Sequence, residues 1–254
     1  MEIIPVISDG ILLKNISFSY LNQNNSSKTD EIVIFKNFNL NVPPSKVSVL
    51  LGPSGCGKTT LLNIIHGILI PQRGVIEKKN INSISYLFQE PRLLPWKTVS
   101  QNIELILKNY YDHKKRKEIT KHYIELIELS EFENYYPAEL SGGMRQRVAI
   151  ARAFAYPAEI ILMDEPFQAL DPGLKLHLTK LFSSIWIEDN RTALFVTHDT
   201  AEAVFLGDEI FVLSSSKPST IVDHFINPVL RNKRDQKNPE SKIFEEELYS
   251  LLTN

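Results

Sequence analysis

Two short glycine loops hold the residues best suited to chemistry. Gly52-Pro-Ser-Gly-Cys-Gly-Lys-Thr59 and Leu140-Ser-Gly-Gly-Met-Arg-Gln146 contain five of the 10 glycines in the chain. The first follows the apolar run Val47 to Leu51 and leads into a helical one, Leu61 to Ile65. In that setting glycines let backbone N–H groups turn inward around a phosphate, and the helix start adds its dipole. Lys58 then reaches the β- and γ-phosphates and Thr59 offers a hydroxyl to Mg²⁺. The second loop, another anion nest with no ligand of its own, stands ahead of Ile160-Ile-Leu-Met-Asp-Glu-Pro166. A carboxylate at the end of a buried strand can hold a Mg²⁺ shell, the role for Asp164, and Glu165 beside it can polarise an attacking water. The first loop alone leaves kinase, GTPase, helicase and motor ATPase open. A GTPase would carry an Asn/Thr-Lys-x-Asp base reader, and the sequence has none.

These residues need elements to position them. Ile11 to Tyr20 and Ile32 to Val42 read as strands, joined by a polar hairpin-like connection from Asn22 to Asp30. Val47 to Leu51, Ile160 to Met163, Ala193 to Thr197 and Glu209 to Leu213 are short apolar runs, mostly separated by helical patterns, as in a parallel sheet buried on both faces. From Pro91 to Tyr136 the spacing turns helical, with Ile103, Leu105, Ile106, Ile124, Ile127 and Leu129 among charged residues. A last helix is expected after Asn238 as cap and Pro239 in the first turn, with Ile243, Phe244, Leu248 and Leu251 as its apolar stripe.

Composition narrows the classes. A chain of 254 residues with 43% hydrophobic and 23% charged residues buries an ordinary core as one domain with an insertion, or as two small ones. Its net charge of -2 supplies no global pull toward nucleic acid or anionic lipid. No run of about 18 apolar residues could span a bilayer, and Met-Glu-Ile-Ile-Pro lacks the basic lead and apolar core of a secretory signal. The single cysteine, Cys56, excludes an internal disulfide, and the cytosol is the expected compartment.

The order of these motifs resembles the nucleotide-binding subunits of ABC transporters. Leu140 to Arg147 is similar to that family's signature, Gln89 in Leu-Phe-Gln-Glu to its Q-loop glutamine, Ala169-Leu170-Asp171 to its D-loop, and His198 in Phe-Val-Thr-His-Asp to its switch histidine. Tyr20 resembles the aromatic that stacks on adenine, the alternative being a core tyrosine of the first strand. Gln89-Glu-Pro-Arg-Leu-Leu-Pro-Trp96, Thr98-Val-Ser-Gln-Asn102 and Tyr136 to Arg152 resemble the ATPases of the bacterial nitrate, sulfonate, taurine and bicarbonate import family.

The resemblance implies an α/β fold of the P-loop NTPase type: a mostly parallel core sheet, an N-terminal antiparallel β subdomain and a helical subdomain insertion. Residues 1–254 form one ATPase domain, with about 90–157 as the helical subdomain and 215–254 as a tail carrying a helix. The implied cofactors are ATP and Mg²⁺. Tyr20, Gly52, Pro53, Ser54, Gly55, Cys56, Gly57, Lys58, Thr59 and Thr60 hold the nucleotide, and Thr59, Gln89 and Asp164 hold the metal. Glu165, His198, Lys58 and Gln89 are the catalytic set. Ser141, Gly142, Gly143 and Asp171 meet the nucleotide of a second copy in a head-to-tail sandwich. The implied partners are that second copy, an integral membrane permease and, indirectly, a solute-binding protein, at the cytoplasmic membrane face and without nucleic acid. Leu93, Leu94, Pro95 and Trp96 would be exposed to receive the permease; otherwise they cover the helical insertion.

A soluble ABC ATPase acting on nucleic acid or ribosomes is the alternative. It would need a long coiled coil between Gln89 and Leu140 or a second cassette, and neither is present. A small-molecule kinase would leave Leu140 to Gln146 unexplained. Departures from the family pattern are Pro43-Pro-Ser-Lys46 in place of a Gly-Glu turn, a shortened stretch from Gly74 to Gln89, and Gln168 and Gly173 near the D-loop. His113 to Lys117 reads as a solvated basic helix face, with anionic lipid headgroups as a second reading, and Arg231 to Lys237 as a flexible loop. Cys56 reads as a small filler of the first loop whose place beside a helix start predicts a reactive thiol.

Overall fold

Alternation of polar and apolar residues gives way to helical spacing and back along the chain, and the elements follow it. A computed structural model describes residues 10–22, 30–78, 80–168, 170–188, 191–234 and 237–253. In order these form β1 (Ile11–Asn22), β2 (Asp30–Val42), β3 (Val47–Leu51), α1 (Lys58–His66), β4 (Arg73–Glu77), β5 (Ile84–Leu87), α2 (Val99–Glu104) and α3 (His113–Leu126). Then follow α4 (Gly142–Ala155), β6 (Ile160–Asp164), α5 (Pro172–Glu188), β7 (Thr192–Thr197), α6 (Thr200–Leu206), β8 (Glu209–Leu213), β9 (Ile221–Ile226) and α7 (Pro239–Thr253). The middle of the expected connection after Asn22, residues 23–29, and Ala169 of the D-loop lie outside the described residues. The chain divides into two compact units, residues 1–81 with 191–254, and residues 82–190.

In the first unit, β1 lies between β2 and β4, antiparallel to both. Its buried residues run 11, 13, then 16, 18. The break in period two falls where the pairing register shifts past Asn15, which takes a left-handed φ of 54°. β3 lies between β7 and β8, parallel to both, and all three strands are buried along their whole length. β9, which the sequence pattern did not announce, closes the edge antiparallel to β8. Asp208, just before β8, accepts from the Val47 N–H at 2.9 Å and pairs with Arg231 and with Arg234, the latter at 3.0 Å. These bonds anchor the part of the expected flexible loop that is described, and Arg231–Lys233 form a 3-10 turn. In α7 the Asn238 side chain accepts from the Glu240 N–H at 2.9 Å, as a cap should. Its buried stripe is Ser241, Phe244 and Leu248; the expected members Ile243 and Leu251 are exposed.

In the second unit, β5 runs parallel to β6. The helical stretch buries Ile103, Ile124, Ile127 and Leu129, with Leu107 inward where Leu105 was expected. Thr98 and Gln101 form a capping box at α2, and Asp112 caps α3. His113, Lys114 and Lys117 of the basic run are exposed, while Arg116 pairs with Glu104 at 3.2 Å. Among the described residues no helix is long and apolar enough to cross a membrane.

The turn before β3 explains one family departure. Ser45 sits at φ 56°, in the left-handed region that costs a side-chain-bearing residue energy, and its N–H is held by the Thr192 hydroxyl at 3.0 Å. Ser45→Gly should therefore raise stability by about 1 kcal/mol in urea or thermal unfolding.

Candidate active site

The first unit builds a phosphate loop. Gly55 and Gly57 take φ of 80° and 106°, and a Cβ on Gly57 would lie 2.6 Å from Ile34 Cγ2, so only glycine fits there. Gly57 is also the N-cap of α1 and supplies no side-chain oxygen to its first N–H groups. Open space surrounds Gly55, where a Cβ would meet nothing within 4 Å. Lys58 is buried with its Nζ donating to the carbonyls of Gly52 and Pro53 at 2.8 and 2.9 Å, while Thr59 is exposed. A helix start whose N-cap has no side chain, a lysine folded over the loop and an exposed threonine suit a nucleotide's phosphates. Ser54 is exposed beside Gly55 and Pro53 half-buried.

Tyr20 is 42% exposed, with its hydroxyl 3.2 Å from that of Thr60 and its ring edge-on to Phe18. It is neither a core tyrosine nor remote from the loop. Cys56 corrects the reactivity expectation: its side chain is 2% exposed, and burial keeps reagents from the thiol.

His198 lies exposed between β7 and α6, in the same unit. Its neighbours are pinned in a ring that sequence reasoning missed. The Thr197 hydroxyl donates to buried Glu202 at 2.5 Å and accepts from the Asp199 N–H at 3.0 Å, and Asp199 in turn caps α6 through the Glu202 N–H. The Gly52 N–H donates to the Thr197 carbonyl at 3.3 Å, tying this corner to the start of the phosphate loop.

The second unit gathers the remaining groups. Asp164, at the end of β6, is 5% exposed. Burial first, and then the charge and hydrogen bond of Asp164, push the Tyr86 phenol well above its usual range, so Tyr86 stays a neutral donor to that carboxylate. The sequence carried no signal for Tyr86 beyond its place in the short β5. Glu165 follows at φ 41°, a left-handed backbone that a non-glycine residue holds only at a cost. The Gln89 side-chain amide Nε2 donates to the side-chain amide oxygen Oε1 of Gln168.

Ser141 caps α4 by accepting from the Met144 N–H at 3.2 Å, and the helix starts at Gly142. Gln146 of the same motif is buried and donates to the Pro166 carbonyl at 2.5 Å, tying the signature helix to the carboxylate turn. Arg152 reaches from α4 to the carbonyls of Pro91 and Arg92 at 2.9 and 3.0 Å. Asp171 caps α5 through the Leu174 N–H at 3.0 Å, so one of its carboxylate oxygens is engaged within the chain. Trp96 is 69% exposed, whereas Leu93 and Leu94 are half-buried. Asn102, buried beneath, shapes that loop with bonds to the backbone of Leu94, Lys97 and Thr98. Among the described residues no cluster of three or more His, Cys, Asp or Glu side chains could cage a metal. A Mg²⁺ shared among one carboxylate, a hydroxyl and phosphates requires none.

Residues 35–168 match the family model described as ABC transporter. The chain belongs to the ABC transporter family. Within it this protein is an ATP-binding subunit and an ATPase. This ABC subunit is 39% identical over 237 residues to the aliphatic sulfonates import ATP-binding protein SsuB of Bacillus cereus, covering 89% of this chain and 90% of that one. It is 40% identical to the protein of the same name from Bacillus subtilis, over 85% and 86% of the two chains. A dimeric ATP-binding cassette in a post-hydrolysis state, bound to ADP and Pi, superposes with a TM-score of 0.74 at 31% identity, over 87% of this chain and all of that one.

The two signature glycines differ in what surrounds them. A Cβ on Gly143 would fall 2.2 Å from Leu174 Cδ2, whereas one on Gly142 meets only Arg145 Nη2, at 3.9 Å. Gly143→Ala should cost no more than about 1 kcal/mol in unfolding experiments, because the group in its way is the rotatable end of the Leu174 side chain. Gly142→Ala should leave stability within about 0.5 kcal/mol.

Proposed function

We propose that this ABC ATPase powers a bacterial importer of a sulfonate-like solute, binding Mg-ATP as a head-to-tail dimer beneath an integral membrane permease. The observation that carries the reading is the start of α1, a helix whose first N–H groups meet a left-handed glycine instead of a capping side chain. The solute class is drawn from relatives named as aliphatic sulfonates import proteins. A solute-binding protein would deliver the solute, which never touches this subunit. The protein works at the cytoplasmic membrane face, and residues 1–254 act as one ATPase domain with about 90–157 as the helical subdomain.

In this reading Tyr20 packs against adenine and the N–H groups from Ser54 to Thr60 surround the phosphates. Lys58 exchanges its two carbonyl partners for phosphate oxygens, trading neutral acceptors for charged ones. Thr59, Asp164 and Gln89 would hold the Mg²⁺, for which a hydroxyl, a carboxylate and an amide oxygen are a fitting hard donor set. Bound, it would supply positive charge against that of the phosphates. Glu165 takes the proton of the attacking water, and His198, steadied by the ring through Thr197 and Glu202, contacts the γ-phosphate. Ser141, Gly142, Gly143 and Asp171 face the nucleotide of the partner copy. Trp96, with Pro95 beside it, is the anchor for the permease, a large aromatic held out by a buried asparagine.

Glu165→Gln should lower ATP turnover by about 10²–10⁴-fold and accumulate an ATP-bound dimer in sedimentation velocity. A variant that stays monomeric with Mg-ATP would overturn the sandwich. Affinity capture from detergent-solubilised membranes should recover a stoichiometric integral membrane partner, and Trp96→Ala should weaken that recovery about tenfold or more.

A further inference from the structure

Ser219, between β8 and β9, lies outside every motif above. It is nonetheless 0% exposed, and both of its polar groups are committed. Its N–H donates to the Ile34 carbonyl in β2 at 2.8 Å. Its hydroxyl donates to the carbonyl of Cys56, in the middle of the phosphate loop, with the Ser216 carbonyl at 3.4 Å as a more distant acceptor.

A trans peptide is planar, with its C=O and the following N–H pointing in opposite directions. Whatever holds the Cys56 carbonyl therefore also aims the Gly57 N–H. Gly57 cannot compensate by shifting, because Ile34 and Phe35 stand where its Cβ would be, at 2.6 and 3.0 Å. Ile34 is the same residue whose carbonyl anchors Ser219, so one strand supports the loop from two directions. The opposite side, at Gly55, is open.

We infer that Ser219 is a positioning residue for nucleotide binding: its hydroxyl orients the Cys56–Gly57 peptide so that the Gly57 N–H faces the phosphate. This rests on the reading of Gly52 to Thr59 as the phosphate loop. The contact is made equally with ground and transition states, so its loss weakens binding and spares turnover at saturation.

The test is titration of Mg-ATP and Mg-ADP, with steady-state ATPase kinetics, on purified wild-type protein and three variants. Ser219→Ala should raise both dissociation constants and KM by about five- to tenfold, the worth of one oriented hydrogen bond, with kcat within about twofold. Val229→Ala removes buried apolar contacts from the same unit and no bond to the loop. It should lower the melting temperature without changing affinity. Lys58→Ala reports on the loop itself. If Lys58→Ala loses affinity while Ser219→Ala binds as wild type, the role of Ser219 is overturned and the phosphate reading stands. If Val229→Ala weakens binding as much as Ser219→Ala, the effect is one of stability and the inference again falls. If Lys58→Ala binds as tightly as wild type, the phosphate-loop reading fails, and the role of Ser219 with it.

Discussion

The N-cap of α1 is Gly57 in a left-handed conformation, so the capping residue itself brings no side-chain oxygen to the first turn. A Ser, Thr or Asp there would place its own oxygen where a phosphate oxygen would sit. Two other helix starts near candidate groups show the contrast. Ser141 caps α4 through Met144, and Asp199 caps α6 through Glu202, so those turns are shaped before any ligand arrives. A phosphate suits the start of α1, where the N-cap brings no side-chain oxygen, and the neighbouring strands hold the loop in place. Ile34 and Phe35 exclude a Cβ at Gly57, and β7 holds the loop's first N–H.

The second unit solves a different problem, that of keeping several short motifs in register on one helix. Along α4, Ser141 shapes the start, Gln146 reaches the Pro166 carbonyl, and Arg152 reaches those of Pro91 and Arg92. A rigid helix thus spaces the signature loop, the carboxylate turn and the segment after Gln89, the last two by side chains donating to main-chain carbonyls. Such bonds transmit position without fixing the sequence of the segment they hold.

Legibility in the sequence followed that division. The phosphate loop, the Asp164-Glu165 pair and the signature were visible because their chemistry requires particular residue types at close spacing. The four buried strands were visible because burial on both faces demands unbroken apolar runs. β5 was missed because it is four residues long with an inward serine, whose hydroxyl is satisfied by the Ala153 carbonyl at 2.8 Å. The stripe on α7 was misassigned because Ile243 and Leu251 are apolar yet exposed, and apolar residues at a surface are common. Tyr86, Glu202 and Ser219 could not be found by spacing at all. Tyr86 and Ser219 act on groups 78 and 163 residues away, and the Glu202 bond to Thr197 is formed only when α6 turns back on β7.

The meeting of Gly143 with Leu174 has a mechanical side. Protein interiors transmit displacement where packing is dense and absorb it where side chains can rotate. At this point the first turn of α4 is bare backbone, and the first turn of α5 meets it with the end of a half-buried leucine side chain. A small movement of that end of α5 toward α4 is therefore taken up by rotation of Leu174, as by a spring against a flat plate. The signature glycine is the plate, and its missing side chain leaves the leucine as the yielding part of the joint.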